Sequence, residues 1–289
     1  MKIGVVYPQI ELHGDPEAVR RIGRAAEDLG FDYLLAYDHV VGAVHSDRTP
    51  PLTGPYTEKD PFHDPLVMFA YLAGQTQRLE FATGVLILPQ RQTVLVARQA
   101  ADLDLLSGQR LMFLGAGVGW NPVEYDALGQ DFHTRGAREE EQIGLLRQLF
   151  TEPVVDFSGR FDRVARAALI PKPTRSIPIW LGGFSKPALD RAARLGDGFV
   201  FTGSNLASEI QIWTRLRDRV QALGRPVTQF GGHYTARLDN GTDALAQEVG
   251  RWREAGGTHV SLTTMGLGLD TTEAHTELLA AAANALHLS

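Results

Sequence analysis

The chain has 289 residues, of which 44% are hydrophobic and 21% charged, a composition that suits a folded core and excludes a disordered chain. Its formal charge is −6 and its basic residues are scattered, so the sequence carries no footprint for nucleic acid. The absence of cysteine excludes disulfides, thiolate nucleophiles and sulfur-ligated metals. Because no apolar run reaches the length of a membrane span and the first residues lack a signal peptide, we expect no membrane segment and a cytoplasmic location.

Apolar runs and helix signals alternate from the start of the chain. The first apolar run, Ile3 to Tyr7, is followed by Asp15-Pro16-Glu17, an N-cap, a proline and an acid that predict the start of a helix. Gly30 ends that helix. The next stretch, FDYLLAYDH, predicts a strand from Asp32 to Asp38, and its nearly continuous apolar character favours burial on both faces, as in a parallel sheet.

The same alternation recurs to the end of the chain. Further strands are predicted at 79–88, 110–118, 178–181, 198–201, 229–238 and 259–264, and further helices at 65–77, 93–106, 132–150, 185–195, 207–223, 243–254 and 272–286. Asp239-Asn240-Gly241 is a turn signal between two of these elements. Eight strands and eight helices in a chain of this length predict one α/β domain over residues 1–289, a closed (β/α)₈ TIM barrel.

Two long segments interrupt the alternation, one after the second strand and one before the fifth. The first, residues 40–63, is rich in Gly, Pro and Thr and is predicted to cover the mouth of the barrel. The second, residues 151–177, contains Val154-Val155-Asp156-Phe157 and Phe161 on either side of Ser158-Gly159-Arg160. That pattern predicts a small β-hairpin.

Asp38 and His39 stand at the carboxyl end of the second strand, where barrel enzymes place their chemistry. His39 is a candidate proton donor or hydrogen-bond partner for a ligand, with Asp38 buried beside it as an orienting group. A strand-end Asp that caps a loop next to an incidental His would explain the dipeptide equally well, and its position favours the functional interpretation. The other histidines show no metal-ligand spacing, so we predict no metal site.

Glycines mark three further strand regions. The run from Gly115 to Gly119 lacks the third glycine of a dinucleotide fingerprint, and it predicts a tight turn or the close approach of a flat ligand. Gly182-Gly183-Phe184-Ser185 precedes a helix, and its free amides and N-cap serine favour a phosphate over an ordinary capped loop, with Lys186 as a possible aid. Thr83-Gly84-Val85 within the third strand indicates a packing glycine, a bulge or a ligand contact.

Three stretches together resemble the luciferase-like superfamily of flavin- and deazaflavin-dependent barrels. They are YLLAYDH, FATGVLILPQRQTVLVARQAADLDLLSGQRLMFLGAGVGW and IPIWLGGFSKPALDRAARLGDGFV. The resemblance covers nearly the whole chain, most clearly up to about Phe201. Within the superfamily, the short chain and the Asp-His pair are most similar to coenzyme F420-dependent oxidoreductases, which implies a TIM barrel with the deazaflavin in its mouth.

The resemblance also implies a role for each candidate residue. His39 would lie near the hydride-accepting carbon of the ring, with Asp38 hydrogen-bonding nearby and a non-prolyl cis peptide at Gly84-Val85 behind the ring. The side chain and phosphate of the cofactor would be bound by the backbone of Ala116, Gly117, Gly182, Gly183 and Phe184, next to the N-cap Ser185. Trp120 would close over the substrate.

Two departures from the family pattern bear on the substrate. Members that act on sugar phosphates carry a carboxylate directly after the Gly-x-Gly of the fourth strand and a tryptophan soon after the Asp-His. This chain has Val118 at the first position and valines and a glycine, residues 40–42, at the second. No matching acid supports methylene-pterin reduction either. An apolar organic substrate is favoured by four possible walls of the mouth, Phe62, Trp120, Phe184 and Phe201.

The sequence therefore predicts an F420-dependent oxidoreductase that moves a hydride between the deazaflavin and an apolar organic substrate. An FMN-dependent monooxygenase that uses reduced flavin and oxygen stays open as an alternative, as does a non-catalytic cofactor-binding barrel. A metal-dependent hydrolase is disfavoured because the first strand ends in Tyr7-Pro8-Gln9, without the HxH of such barrels. The resemblance further implies a homodimer, with no nucleic-acid or membrane partner.

Overall fold

A closed parallel barrel surrounded by helices is present in the computed structural model, which describes residues 1–203, 205–239 and 241–288. The strands within these ranges are β1 (Lys2–Val6), β2 (Tyr33–Ala36), β3 (Glu80–Thr83), β4 (Leu86–Ile87), β5 (Leu111–Gly117), β6 (Val155–Ser158), β7 (Arg163–Ala167), β8 (Ile179–Gly182), β9 (Gly198–Val200), β10 (Gly231–Arg237) and β11 (His259–Thr263). The barrel order is β3-β2-β1-β11-β10-β9-β8-β5-β4, and an additional β3–β5 pairing closes the sheet. The predicted TIM barrel is confirmed.

The helices follow the strands and surround the sheet. They are α1 (Pro16–Asp28), α2 (Pro65–Ala73), α3 (Thr93–Leu106), α4 (Pro122–Ala127), α5 (Arg135–Thr151), α6 (Lys186–Leu195), α7 (Leu206–Ala222), α8 (Thr242–Glu254) and α9 (Thr272–Ala285). Within the described ranges, none of these helices is long and apolar enough to cross a bilayer. Asn240, the centre of the predicted turn, lies outside the described residues.

The largest differences from the predicted elements are four. The strand at 79–88 is split into β3 and β4, because the backbone is irregular at Gly84-Val85. Helix α2 ends at Ala73 instead of residue 77, with Gly74 as its C-cap. The first residues of the helix predicted at 132–150 form a separate 3₁₀ turn, Phe132–Thr134, before α5. The six-residue α4 was not predicted, because so short a helix shows no apolar period.

Side chains alternate between two buried layers along the barrel strands. On β2, Leu34 and Ala36 pack in the larger layer beneath the helices, whereas Tyr33 and Leu35 fill the barrel interior. Lower in the barrel, Phe113 and Trp180 stack with ring centroids 4.2 Å apart. Val6, Ala82 and Val200 belong to the same interior cluster, and the ring of His233 contacts Tyr33 and Phe113 there. This filling closes the barrel below its mouth, so a ligand has access from the carboxyl ends of the strands.

Both insertions take the predicted form. Strands β6 and β7 pair antiparallel as the expected hairpin. The segment after β2 lies over the mouth, where Gly54 is so close to Trp120 that a Cβ at residue 54 would stand 2.2 Å from the indole ring. Glycine is required there because the loop backbone rests on the aromatic face.

Candidate active site

A cavity of ≈ 740 Å³ opens at the carboxyl ends of the barrel strands. Its size falls within the range of small-molecule sites. Residues from five barrel regions and from the segment after β2 line it: Tyr37, Asp38, His39, Thr53, Gly54, Pro55, Tyr56, Gly84, Val85, Ile87, Gly117, Val118, Gly119, Trp120, Glu124, Gly182, Gly183, Phe184, Ser185, Ala188 and Thr202.

The cavity brings together most of the residues singled out in the sequence. Ala116 lies behind its wall, fully buried in the layer beneath the helices between Leu86 and Leu181 of the neighbouring strands. Phe62 lies behind His39, with the two ring centroids 4.8 Å apart. Neither is among the described residues that line the cavity, so Ala116 can meet a ligand only through its neighbours and Phe62 acts on the position of His39.

The imidazole of His39 is held by aromatic rings and by a carboxylate. Its Nδ1 lies 3.2 Å from Glu124 Oε1. Its ring centroid lies 5.1 Å from that of Tyr56 in an edge arrangement and 5.8 Å from that of Trp120. Only 10% of the side chain is exposed. The ring is therefore fixed at the cavity wall with one nitrogen already engaged.

The carboxylate of Asp38 is fully buried and engaged by other parts of the chain. It accepts hydrogen bonds from Arg91 Nη2 at 2.6 Å and from the Ile87 amide at 2.9 Å, and Arg91 also binds Asp64 at 2.9 Å. Burial raises the pKa of Asp38, and the Arg91 guanidinium and the Ile87 amide oppose that rise. Asp38 thus anchors the end of β2 to the segment after β4, and its fully buried side chain has no surface for a ligand.

The cavity floor is formed by Val85 between two glycines. A Cβ at Gly117 would stand 2.5 Å from Val85 Cγ2, and one at Gly182 would stand 2.9 Å from Val85 Cγ1. The Gly84-Val85 peptide bond is cis, as the resemblance implied. The valine side chain therefore fits between the ends of β5 and β8 only because both neighbours lack side chains, and it offers an apolar surface to a flat ligand.

The N-terminus of α6 faces the same cavity. Ser185 is its N-cap, with Oγ accepting from the Ala188 amide at 3.4 Å. Gly183 has φ +138°, and a Cβ there would stand 2.7 Å from that of Ala188. The first amides of a helix and its dipole suit an anion. Lys186 is 82% exposed and binds Asp190 at 2.7 Å, so it does not line the described cavity.

The described residues that line the cavity carry no fixed positive charge. Among the described lining residues there is no lysine or arginine, and the ionisable groups are Asp38, His39, Glu124 and two tyrosines. Burial raises the pKa of Tyr37 to about 12 and also raises that of Tyr56, so both phenols are neutral at physiological pH. The described residues contain no group of three or more His, Cys, Asp or Glu placed to share a metal ion.

Glu124 and Tyr56 are site residues that sequence reasoning missed, and Glu124 makes the closer contact with His39. Glu124 lies in the first turn of α4, which Asn121 caps by accepting from the Val123 amide at 3.0 Å and which begins at Pro122. The Asn-Pro pair is a pattern typical of a helix start, with an acid in the first turn after it, and it is the local signal that the sequence offered for this residue. It carried no sign that this acid would reach a strand end 85 residues earlier in the chain.

Relatives of known sequence match a large part of the chain. An uncharacterised protein of Mycobacterium tuberculosis is 36% identical over 190 residues, which are 64% of this chain and 65% of that protein. An F420-dependent glucose-6-phosphate dehydrogenase of Nakamurella multipartita is 26% identical over 232 residues, which are 79% of this chain and 65% of that enzyme. The matches thus span just under two thirds of the length of these relatives.

Solved structures share the fold over nearly the full length. A monooxygenase from Streptomyces bottropensis superimposes with a TM-score of 0.80 at 19% identity and covers 99% of both chains. An F420-dependent secondary alcohol dehydrogenase, in complex with an F420-acetone adduct, gives a TM-score of 0.79 at 15% identity and covers 99% of this chain and 98% of that one. Residues 2–252 match the sequence model of the luciferase-like monooxygenases. The chain therefore belongs to the luciferase-like monooxygenase family.

Proposed function

We propose that this protein is an F420-dependent oxidoreductase that transfers a hydride between the deazaflavin and an uncharged, largely apolar organic substrate. The observation that carries the proposal is one cavity that combines an apolar floor at Val85, a helix N-terminus at Ser185 and a restrained imidazole at His39. Relatives and solved neighbours named as F420-dependent support it.

The residues present fit a deazaflavin with a phosphate-bearing side chain. The glycines on either side of Val85 keep the floor free of side chains, which suits a flat ring. The amides from Gly183 to the start of α6 suit a phosphate. The cavity thus offers an apolar surface in one part and free amides in another. These two parts suit the ring and the phosphate of such a cofactor.

The bound deazaflavin would supply the hydride acceptor or donor. His39 would hydrogen-bond the substrate oxygen and exchange a proton with it as the hydride moves. Tyr56 and Trp120 hold the imidazole and cover it from solvent, since the His39 side chain is only 10% exposed. The protein thus contributes orientation, water exclusion and one proton-transfer group.

The substrate is proposed to be uncharged because the described lining contains no lysine or arginine. A sugar phosphate, the substrate named for several relatives, would need a second anion site beside that for the cofactor. Val118 and Ile87 contribute apolar surface instead, together with Trp120 and Phe184. An alcohol or ketone with an apolar body fits such a wall.

Titration of the purified protein with F420 and, in parallel, with FMN, followed by fluorescence, tests the proposal. Binding of F420 in clear preference to FMN supports it and leaves a screen of uncharged alcohols and ketones as the next step. Preference for FMN overturns it in favour of the monooxygenase alternative, for which oxygen consumption with reduced FMN is the assay. Binding of neither overturns the cofactor assignment. A homodimer in solution stays a prediction, to be checked by light scattering.

A further inference from the structure

One carboxylate oxygen organises the loop that carries His39. Glu124 Oε1 lies 2.8 Å from the Val40 amide nitrogen, 3.3 Å from the Val41 amide nitrogen and 3.2 Å from His39 Nδ1. The Glu124 side chain is 2% exposed and that of His39 is 10% exposed. Three consecutive residues after β2 therefore depend on a single atom of α4.

The two backbone contacts determine the direction of the third. Backbone amides can only donate, so Oε1 is an acceptor towards Val40 and Val41. An ionised carboxylate has no proton to give, so its contact with the imidazole requires the hydrogen on Nδ1 of His39. The neutral ring is then the Nδ1–H tautomer, which leaves the lone pair of Nε2 as the acceptor available to a ligand.

We propose that Glu124 is a positioning residue that fixes His39 as the Nδ1–H tautomer and leaves Nε2 to exchange the substrate proton. The tautomer follows from contacts within the chain, and the proton transfer rests on the proposed function. In the oxidative direction, the substrate O–H bond would break and its proton would go to Nε2. The C–H hydrogen would leave together with the bonding electron pair as hydride, the C=O bond would form, and a bound deazaflavin would supply the hydride acceptor. The Glu124 carboxylate then faces the imidazolium and stabilises it.

Nitrogen-15 NMR of the histidine side chains tests the tautomer without cofactor or substrate. The His39 signals are assigned by their loss in His39→Gln. We expect protonated Nδ1 and unprotonated Nε2 in the wild type and in Glu124→Gln, because the amide oxygen still accepts, and a change towards the Nε2–H form in Glu124→Ala. An Nε2–H tautomer in the wild type overturns the proposal, as does an unchanged tautomer in Glu124→Ala. If Glu124→Ala does not fold, the wild type and Glu124→Gln spectra decide alone.

The kcat and KM values of two Glu124 variants separate the positioning of His39 from the effect of the Glu124 charge. With an accepted substrate, kcat of Glu124→Ala should fall by about 10²-fold or more, the scale of a lost acid–base contribution, with a smaller loss in Glu124→Gln and little change in KM. A kcat for Glu124→Ala equal to that of the wild type overturns the positioning role. If F420 does not bind but the NMR result is as expected, the proposed function is contradicted and the tautomer assignment is still supported.

Discussion

Asp38 and Arg91 form a buried ion pair that joins the end of β2 to the segment after β4, with Arg91 Nη2 at 2.6 Å and Nε at 3.3 Å from the carboxylate oxygens. At the next residue, Glu124 binds His39 and the two amides that follow it. Asp38 and His39 are thus held by two different parts of the chain, the segment after β4 and helix α4. The consequence is that His39 has a fixed position before any ligand arrives, which is the condition for efficient proton transfer.

Replacement of Asp38 by Asn should lower the free energy of unfolding by about 3 kcal/mol, because Arg91 would remain buried with Asp64 as its remaining carboxylate partner. Urea unfolding followed by circular dichroism measures the change. Glu17→Gln is the matched control, since Glu17 binds Arg20 at the surface of α1 and its loss should leave the urea midpoint unchanged. Equal midpoints for Asp38→Asn and the wild type would contradict the anchoring role.

Replacement of His39 by Ala should reduce kcat by about 10²-fold or more, because the proton-exchanging group is removed while the floor at Val85 and the α6 N-terminus stay intact. The dissociation constant for F420, measured by fluorescence, should change little. Turnover equal to that of the wild type would refute the catalytic assignment of His39. Loss of cofactor binding together with turnover would instead assign His39 to the binding of the cofactor.

The barrel and the location of its site could be predicted because both depend on local patterns. Apolar runs and helix caps give the element order, and the carboxyl ends of parallel strands meet at one edge, which brings His39, Gly117 and Gly182 to one cavity. The partner of His39 could not be predicted, because no local period connects a turn of α4 with the end of β2. The break at Gly84-Val85 was indicated by the glycine inside the predicted strand and by the resemblance, whereas the apolar pattern alone predicted one continuous strand.

Replacement of Gly117 by Ala should weaken F420 binding by about 10-fold or more, because the new Cβ would stand 2.5 Å from Val85 Cγ2 and displace the floor. Gly144→Ala is the control for adding a methyl group. Gly144 is an exposed residue of α5 with open space around its Cβ position, so the change should stabilise the protein by roughly 0.5–1 kcal/mol and leave binding unchanged. Equal F420 affinities for the two variants would contradict the floor assignment.

Because of Glu209, the free energy of unfolding should fall as the pH rises above 4.5, the ordinary pKa of a glutamate. Burial raises the pKa of Glu209 from 4.5 to about 7, against a hydrogen bond from the Gly203 backbone, and its Oε2 is buried without a partner among the described residues. Between these two values the folded protein binds the proton more tightly than the unfolded chain. The stabilisation is therefore complete below pH 4.5 and is lost as the pH rises through about 7.

Replacement of Glu209 by Gln removes this ionisation. The free energy of unfolding of the variant, relative to that of the wild type, should therefore rise by on the order of 3 kcal/mol between pH 4.5 and pH 8. Urea unfolding of both proteins at several pH values measures the difference. Glu254→Gln, at an exposed residue of α8, makes the same change of charge and should run parallel to the wild type. A constant difference between Glu209→Gln and the wild type across the range would show that Glu209 ionises at the same pH in the folded and unfolded chains.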